Sequence, residues 1–68
     1  MAIALKELKR VLQTRVRRAG GVRALGRELG VIPSRISEAM KDGVEPQPHL
    51  VAALGYRKAS AMYERVQP

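Results

Sequence analysis

The sequence predicts a mainly α-helical domain with four helices, followed by a short C-terminal strand or extended tail. Apolar residues recur every three or four positions over most of the chain, and glycines and prolines divide it into segments of helical length. At 68 residues there is room for one small domain. The chain has no Trp, Phe or Cys, so we expect an aliphatic core, no disulfide and no thiolate metal site.

The first predicted helix runs from Ile3 to Arg18. Its basic residues lie on the face opposite a single apolar stripe, which is typical of an amphipathic helix. A basic helix of this kind can also lie on an anionic membrane. The later elements have apolar faces that need a packing partner, so we favour packing against the core. The stripe consists of Leu5, Leu8, Leu12 and Val16.

The stretch from Ala19 to Gly43 predicts two short helices joined by a tight turn. Gly30 suits the left-handed conformation that ends a helix, and Pro33 suits the first turn of the next helix, which we expect to reach about Lys41. A small residue at Gly26 lets the two helices cross closely. Residues 21–41 therefore predict a helix-turn-helix. The apolar positions that carry this period are Val22, Leu25, Leu29, Ile36, Ala39 and Met40.

This stretch resembles the helix-turn-helix of the lambda-repressor-like superfamily, which includes phage Cro proteins, phage repressors and small prophage regulators. The resemblance extends more weakly from Leu5 to Gly55. Three positions depart from the family pattern: Val22 replaces a Gln or Thr, Gly26 replaces an alanine, and Ile32 replaces a Ser or Thr N-cap. The residues that carry the resemblance are Leu25-Gly26, Leu29-Gly30-Val31, Ser34-Arg35-Ile36-Ser37, Gly43 and Leu54-Gly55-Tyr56.

The resemblance implies that the third helix reads bases in the DNA major groove. Arg35 can pair with both guanine O6 and N7, and Glu38 can accept a hydrogen bond from cytosine N4. For Glu38, an ion pair with Lys41 or Arg35 is the structural alternative. The residues expected to contact bases are Pro33, Ser34, Arg35, Ser37, Glu38 and Lys41.

The second helix is expected to cross the DNA backbone. Arg23 and Arg27 stand four residues apart on its exposed side and are the leading phosphate contacts, with Arg18 as a third. The alternative is a solvated helix face on which Arg23 or Arg27 pairs with Glu28 or another carboxylate.

A fourth helix is predicted from His49 to Leu54, with Pro48 before it and Gly55 after it. Residues 56–68 form either a strand or a fifth helix. A strand needs a partner. The partner is either the same strand of a second copy, which would give a two-fold dimer as in Cro-like proteins, or the segment Met1–Leu5, which would leave a monomer. The residues expected at a dimer contact are Tyr56, Met62, Tyr63 and Val66.

The charge balance indicates a polyanion as partner. Thirteen Lys and Arg residues against six Asp and Glu residues give a formal net charge of +7. Together with the resemblance, this predicts a sequence-specific regulator that binds a palindromic operator in double-stranded DNA as a homodimer, in the bacterial cytoplasm. The alternatives are an antitoxin-like or accessory protein that binds a protein partner, and a non-specific basic nucleic-acid-binding protein.

Catalysis, metal binding and cofactors are not expected. His49 is the single histidine, there is no cysteine, and no carboxylates are paired at a usable spacing. No apolar run is long enough to cross a bilayer. We therefore expect no enzyme activity, no metal, no cofactor, no small-molecule ligand and no membrane association.

Overall fold

A computed structural model describes residues 2–66 and confirms a mainly α fold. Four helices are combined with a small three-stranded antiparallel sheet. None of the helices in this range is both long enough and apolar enough to cross a membrane. The elements are, in order, β1 (Ala2–Ile3), α1 (Leu5–Ala19), α2 (Val22–Leu29), α3 (Pro33–Ala39), α4 (Pro48–Ala53), β2 (Tyr56–Ala59) and β3 (Met62–Arg65).

Helix α1 begins two residues later than predicted because Ile3 belongs to a strand. Ile3 pairs with Tyr63 of β3, and its side chain is buried in the core. The backbone N–H of Ala4, the residue before α1, donates to Oε1 of Glu7 at 3.4 Å. The predicted apolar stripe does face inward, and its Leu8 and Leu12 are fully buried.

The connection between α2 and α3 follows the prediction closely. Gly30 ends α2 in the left-handed region with a φ of 69°, and Val31 turns into the core. A Cβ at Gly26 would lie 2.6 Å from the carbonyl oxygen of Val31 and 3.2 Å from Cγ of Pro33. The close approach therefore needs glycine itself, a stricter requirement than the small residue that the sequence indicates.

Helix α3 ends at Ala39, before the predicted end at Lys41. The ammonium group of Lys9, on α1, donates to the carbonyl oxygen of Ala39 at 2.7 Å and also to that of Lys41. Met40 closes the helix, and Lys41 lies in the bend beyond it. A side chain 30 residues earlier in the chain thus binds the carbonyl groups at the end of α3.

The tail forms a hairpin in place of the lone strand or fifth helix considered from the sequence. Strand β3 lies in the centre of the sheet, between β1 and β2. The strand alternative that pairs with the N-terminal segment is therefore confirmed. The alternative in which this strand pairs with the same strand of a second copy is wrong, because both edges of β3 are already paired within the chain. Strand β2 and the turn at Ser60 were not predicted. Ser60 has a φ of 57°, a conformation more usual for glycine or asparagine.

Tyr63 lies in the core, which corrects two predictions. Its side chain is 2 % exposed, so it is not surface for a dimer contact, and the core is not purely aliphatic. Tyr63 is buried because β3 is the central strand and turns this side chain towards the helices. The other core residues are Ile3, Leu8, Leu12, Leu25, Val31, Ile36, Ala39, Leu50, Val51 and Leu54.

Helix α4 begins at Pro48, one residue before the predicted start, and ends at Ala53. Pro48 occupies the first helical position, where its missing N–H costs nothing. Leu54 follows as the C-cap, and Gly55 then takes a φ of 89°. This turn leads the chain directly into β2.

Candidate nucleic-acid interface

The exposed side of α2 and the beginning of α3 share one shallow depression. It is lined by Arg23 and Arg27 from α2 and by Ile32, Pro33 and Ser34 around the start of α3. Both arginines are exposed. The structure therefore brings two predicted phosphate contacts together with two of the predicted base contacts.

Arg35 lies next to this depression, on the exposed side of α3. It lines a neighbouring concavity with Ile32 and with Gln47 and His49 at the beginning of α4. The opposite side of α3 is buried through Ile36 and Ala39. Helix α3 is therefore amphipathic, and its polar side is accessible to solvent. The exposed residues on that side are Ser34, Arg35, Ser37 and Glu38.

Glu38 and Lys41 form an ion pair with each other. The carboxylate and the ammonium group are 3.7 Å apart, and both side chains are more than half exposed. This is the structural alternative that the sequence offered for Glu38. Lys41 lies beyond the end of α3, at the far end of the helix from Pro33.

Three other acidic side chains pair with cations outside the α2–α3 depression. Glu28 lies 3.5 Å from Arg15 of α1, so the predicted alternative in which it pairs with Arg23 or Arg27 is wrong. On the sheet, Glu64 lies 3.2 Å from Arg57, and Glu45 contacts Lys58.

Within residues 2–66, no carboxylate forms an ion pair with the exposed arginines of α2 and α3. Within the described residues, no side-chain hydrogen bond or ion pair uses their guanidinium groups, which are therefore accessible to a ligand. A guanidinium always stays protonated and can form two parallel hydrogen bonds to a phosphate or to a guanine edge. The arginines concerned are Arg23, Arg27 and Arg35.

Arg18, the third predicted phosphate contact, lies apart from that depression. It is exposed in the last turn of α1 and lines a separate concavity with Arg10, Thr14 and Arg15. The structure does not bring it into one concavity with Arg23 and Arg27.

Ile32 is a surface feature that sequence reasoning noted only as a missing cap. It occupies the N-cap position of α3 without any side-chain hydrogen bond to the helix. Its side chain is 63 % exposed, the largest fraction among the exposed large apolar residues in the described part of the chain. The sequence signal that could have indicated this exposure is an isoleucine at the N-cap position of a helix, with arginines nearby in the sequence.

Two of the four residues predicted for a dimer contact remain exposed. Met62 is 39 % exposed and Val66 is 48 % exposed. Tyr56 is half-buried and packs against the core, and Tyr63 is buried. The surface expected from the tail is therefore reduced to Met62 and Val66.

Tyr63 and Glu45 form a polar contact that serves the fold. The Tyr63 hydroxyl donates to Oε1 of Glu45 at 3.0 Å. Hydrogen bonds from Lys58 and then from Tyr63 hold the pKa of Glu45 below its usual value. Burial, and then the bond to Glu45, raise the pKa of Tyr63.

The residues from 2 to 66 hold no group of three or more metal-ligating side chains. Comparisons with protein-family models, with curated proteins and with solved structures found no match to this chain. Function is therefore inferred from the chemistry of the surface itself.

Proposed function

We propose that this chain is a sequence-specific double-stranded DNA-binding protein, in which α2 and α3 act as a helix-turn-helix. The observation that carries the proposal is the group of three exposed arginines around the beginning of α3 that have no ion-pair partner within residues 2–66, on a chain of net charge +7. Duplex DNA offers a dense row of phosphates and a major groove wide enough for one helix.

Each arginine has a role that follows from its position. Arg35 lies on the exposed face of the reading helix and is suited to a bidentate contact with guanine. Arg23 and Arg27 lie on α2, which would cross the backbone and bind phosphates. Ser34 and Ser37 add hydroxyl groups that can donate or accept at several base edges.

The regulatory role proposed is that of a Cro-type repressor in a bacterial cytoplasm. It would act by occupying an operator that overlaps a promoter. Two copies on a palindromic site would place their reading helices about 34 Å apart, in successive major grooves. The exposed side chains of Met62 and Val66, next to the hairpin, are apolar surface that a second copy could cover.

The decisive experiment is selection from a randomised pool of double-stranded DNA at near-physiological salt, followed by sequencing. We expect enrichment of a palindrome whose half-sites are one helical turn apart. A pool in which no sequence is enriched would overturn the proposal of specific binding.

Arg35→Ala then tests the reading role assigned to α3. We expect it to weaken binding to the selected site by about 1–3 kcal/mol and binding to random DNA far less, because a base contact acts only on its own sequence. Equal losses on both kinds of DNA would contradict the role of Arg35 as a base reader.

A second candidate function is binding to a protein partner, as in antitoxin-like or accessory helix-turn-helix proteins. The observation that favours it is an apolar concavity between α4 and β2, lined by Pro46, Pro48, Val51, Ala52 and Tyr56 among others. The selection experiment separates the candidates. If the protein binds DNA but enriches no sequence, it is a non-specific basic nucleic-acid-binding protein. If it does not bind DNA, a protein partner is favoured.

A further inference from the structure

Ile32 exposes apolar surface in the most cationic part of the proposed interface. Its side chain is 63 % exposed. It lines both concavities that flank the beginning of α3, one shared with Arg23 and Arg27 and the other with Arg35. Any anionic ligand drawn to these guanidinium groups would therefore meet the isoleucine as well.

The fold does not explain this choice of residue. Position 32 is the N-cap of α3, with extended backbone angles of −60° and 130°. Ser, Thr, Asp or Asn at an N-cap accepts a hydrogen bond from the first helical turn, and isoleucine cannot. Because the side chain is also mostly out of the core, isoleucine forgoes the cap without gaining the burial that would compensate for it.

The chemistry of duplex DNA offers a group that matches this surface. In the major groove, thymine is the only one of the four bases that carries a methyl group, at C5. An exposed aliphatic side chain that reaches the groove discriminates thymine from the other bases by burying that methyl group. The neighbouring guanidinium groups bind phosphates or guanine and cannot make this distinction.

We propose that Ile32 is a specificity-determining residue that contacts the C5-methyl group of a thymine at the edge of the half-site. This inference rests on the proposed DNA-binding function. It adds an apolar contact to the polar contacts expected of Ser34 and Arg35, and it gives a functional reason for the missing cap.

The test uses the site obtained by selection and replaces each thymine, one at a time, by deoxyuridine, which lacks only the methyl group. For the unaltered protein, we expect one position per half-site to lose affinity about fourfold, the factor expected for one buried methyl group. Every other deoxyuridine position should bind nearly as well as thymine.

Ile32→Ser is the informative variant because it removes the aliphatic surface and restores a capping hydroxyl, so it should fold at least as well as the original chain. In this variant the affinity ratio between thymine and deoxyuridine at that position should fall to about one. A ratio within one variant cancels any general loss of binding or stability. Ala61→Ser, which adds a hydroxyl group at an exposed residue of the hairpin turn, is the control and should keep the fourfold ratio.

The outcomes separate this inference from the proposed function. If a palindrome is selected but no deoxyuridine position depends on Ile32, the thymine contact is overturned while specific DNA binding stands. If no sequence is enriched, the proposed function fails and the inference fails with it. Unchanged DNA binding by Ile32→Ser would also overturn the inference and would point to a protein partner for this side chain.

Discussion

The two central cations of β2 and the exposed arginines of the α2–α3 region differ in whether a carboxylate pairs with them. On the hairpin, Arg57 pairs with Glu64 across the two strands, and Lys58 pairs with Glu45. Around the start of α3, the three exposed arginines described above have no carboxylate partner within the described residues. The difference teaches that net charge alone does not locate a binding surface. The acidic partners narrow the choice, but exposed cations without an ion pair within residues 2–66 also occur on α1 and β3, namely Lys6, Arg10, Arg17, Arg18 and Arg65. The α2–α3 arginines are distinguished by lining two concavities that share Ile32.

The largest effect that we expect in either region is a loss of folding stability when a buried side chain of the sheet is removed. Tyr63→Ala should lower the free energy of unfolding by about 3–5 kcal/mol, because it removes a buried aromatic side chain. A domain of this size has roughly 3–10 kcal/mol in total, so much of the population should unfold. Urea denaturation followed by circular dichroism measures this. Met62→Ala, at an exposed position on the same strand, is the control and should change stability by about 0.5 kcal/mol or less.

The next effect is at the crossing of α2 and α3. Gly26→Ala should lower the free energy of unfolding by about 1–3 kcal/mol, because its Cβ would overlap the carbonyl oxygen of Val31. Helix propensity alone predicts the opposite sign, a gain of about 1 kcal/mol. The direction of the change in a urea titration therefore separates steric overlap from helix propensity, and a stabilised variant would contradict the overlap.

A smaller effect concerns binding and compares the two sets of cations directly. Arg23→Ala or Arg27→Ala should each reduce the slope of log K against log salt by about one, because each removes a phosphate contact. Arg57→Ala changes the net charge equally but lies in an ion pair on the sheet, and it should leave the slope nearly unchanged. DNA-binding titrations at several salt concentrations measure the slopes. Equal slopes for all three variants would mean that charge acts without regard to position.

The smallest effect is the pH dependence of the Tyr63–Glu45 contact. The pKa of Tyr63 is raised above 10.0 in the folded state, so its contribution to stability is present below about pH 10 and is lost as the pH rises through the folded value. The pKa of Glu45 is lowered from 4.5, so its contribution is present above that value and is lost as the pH falls through the lower folded value.

Tyr63→Phe should therefore flatten the alkaline side of the stability profile, and Glu45→Gln should flatten the acid side. Urea unfolding between pH 3 and pH 11 measures both. An unchanged alkaline slope in Tyr63→Phe would show that other groups cause the alkaline loss of stability.

Local signals in the sequence were sufficient for the helices and the turn between α2 and α3. Gly30 and Pro33 act through their own backbone angles, and the apolar period of α1 fixes its buried face. The pairing of the tail with the N-terminal segment was predicted only as one alternative, because β1 has two residues. Strand β2 and its turn were missed because β2 carries two charges at its centre and the turn at Ser60 lacks glycine. Burial of Tyr63 depends on partners at the other end of the chain, which no local pattern records.

The sequence predicted which residues form the candidate site and that they are exposed. It did not predict which cations form ion pairs. Helical period places Arg23, Arg27 and Arg35 on the surface without any knowledge of tertiary contacts. Which cation pairs with Glu28 depends on how α1 packs against α2, and the structure chooses Arg15. The exposure of Ile32 was not predicted, because apolar residues are expected to be buried and only the fold shows that this one is exposed.

The hydrogen bonds from Lys9 to the end of α3 have a consequence for how the proposed reading helix is held in place. A helix of seven residues has no independent stability in water. The carbonyl group of its last residue, Ala39, accepts a hydrogen bond from Lys9 of the fifteen-residue helix α1. The orientation of α3 is thus fixed in the free protein. Binding therefore does not include the loss of conformational entropy that ordering this helix would require. The exchange of the amide protons in the last turn of α3 with solvent should therefore be limited by the unfolding of α1.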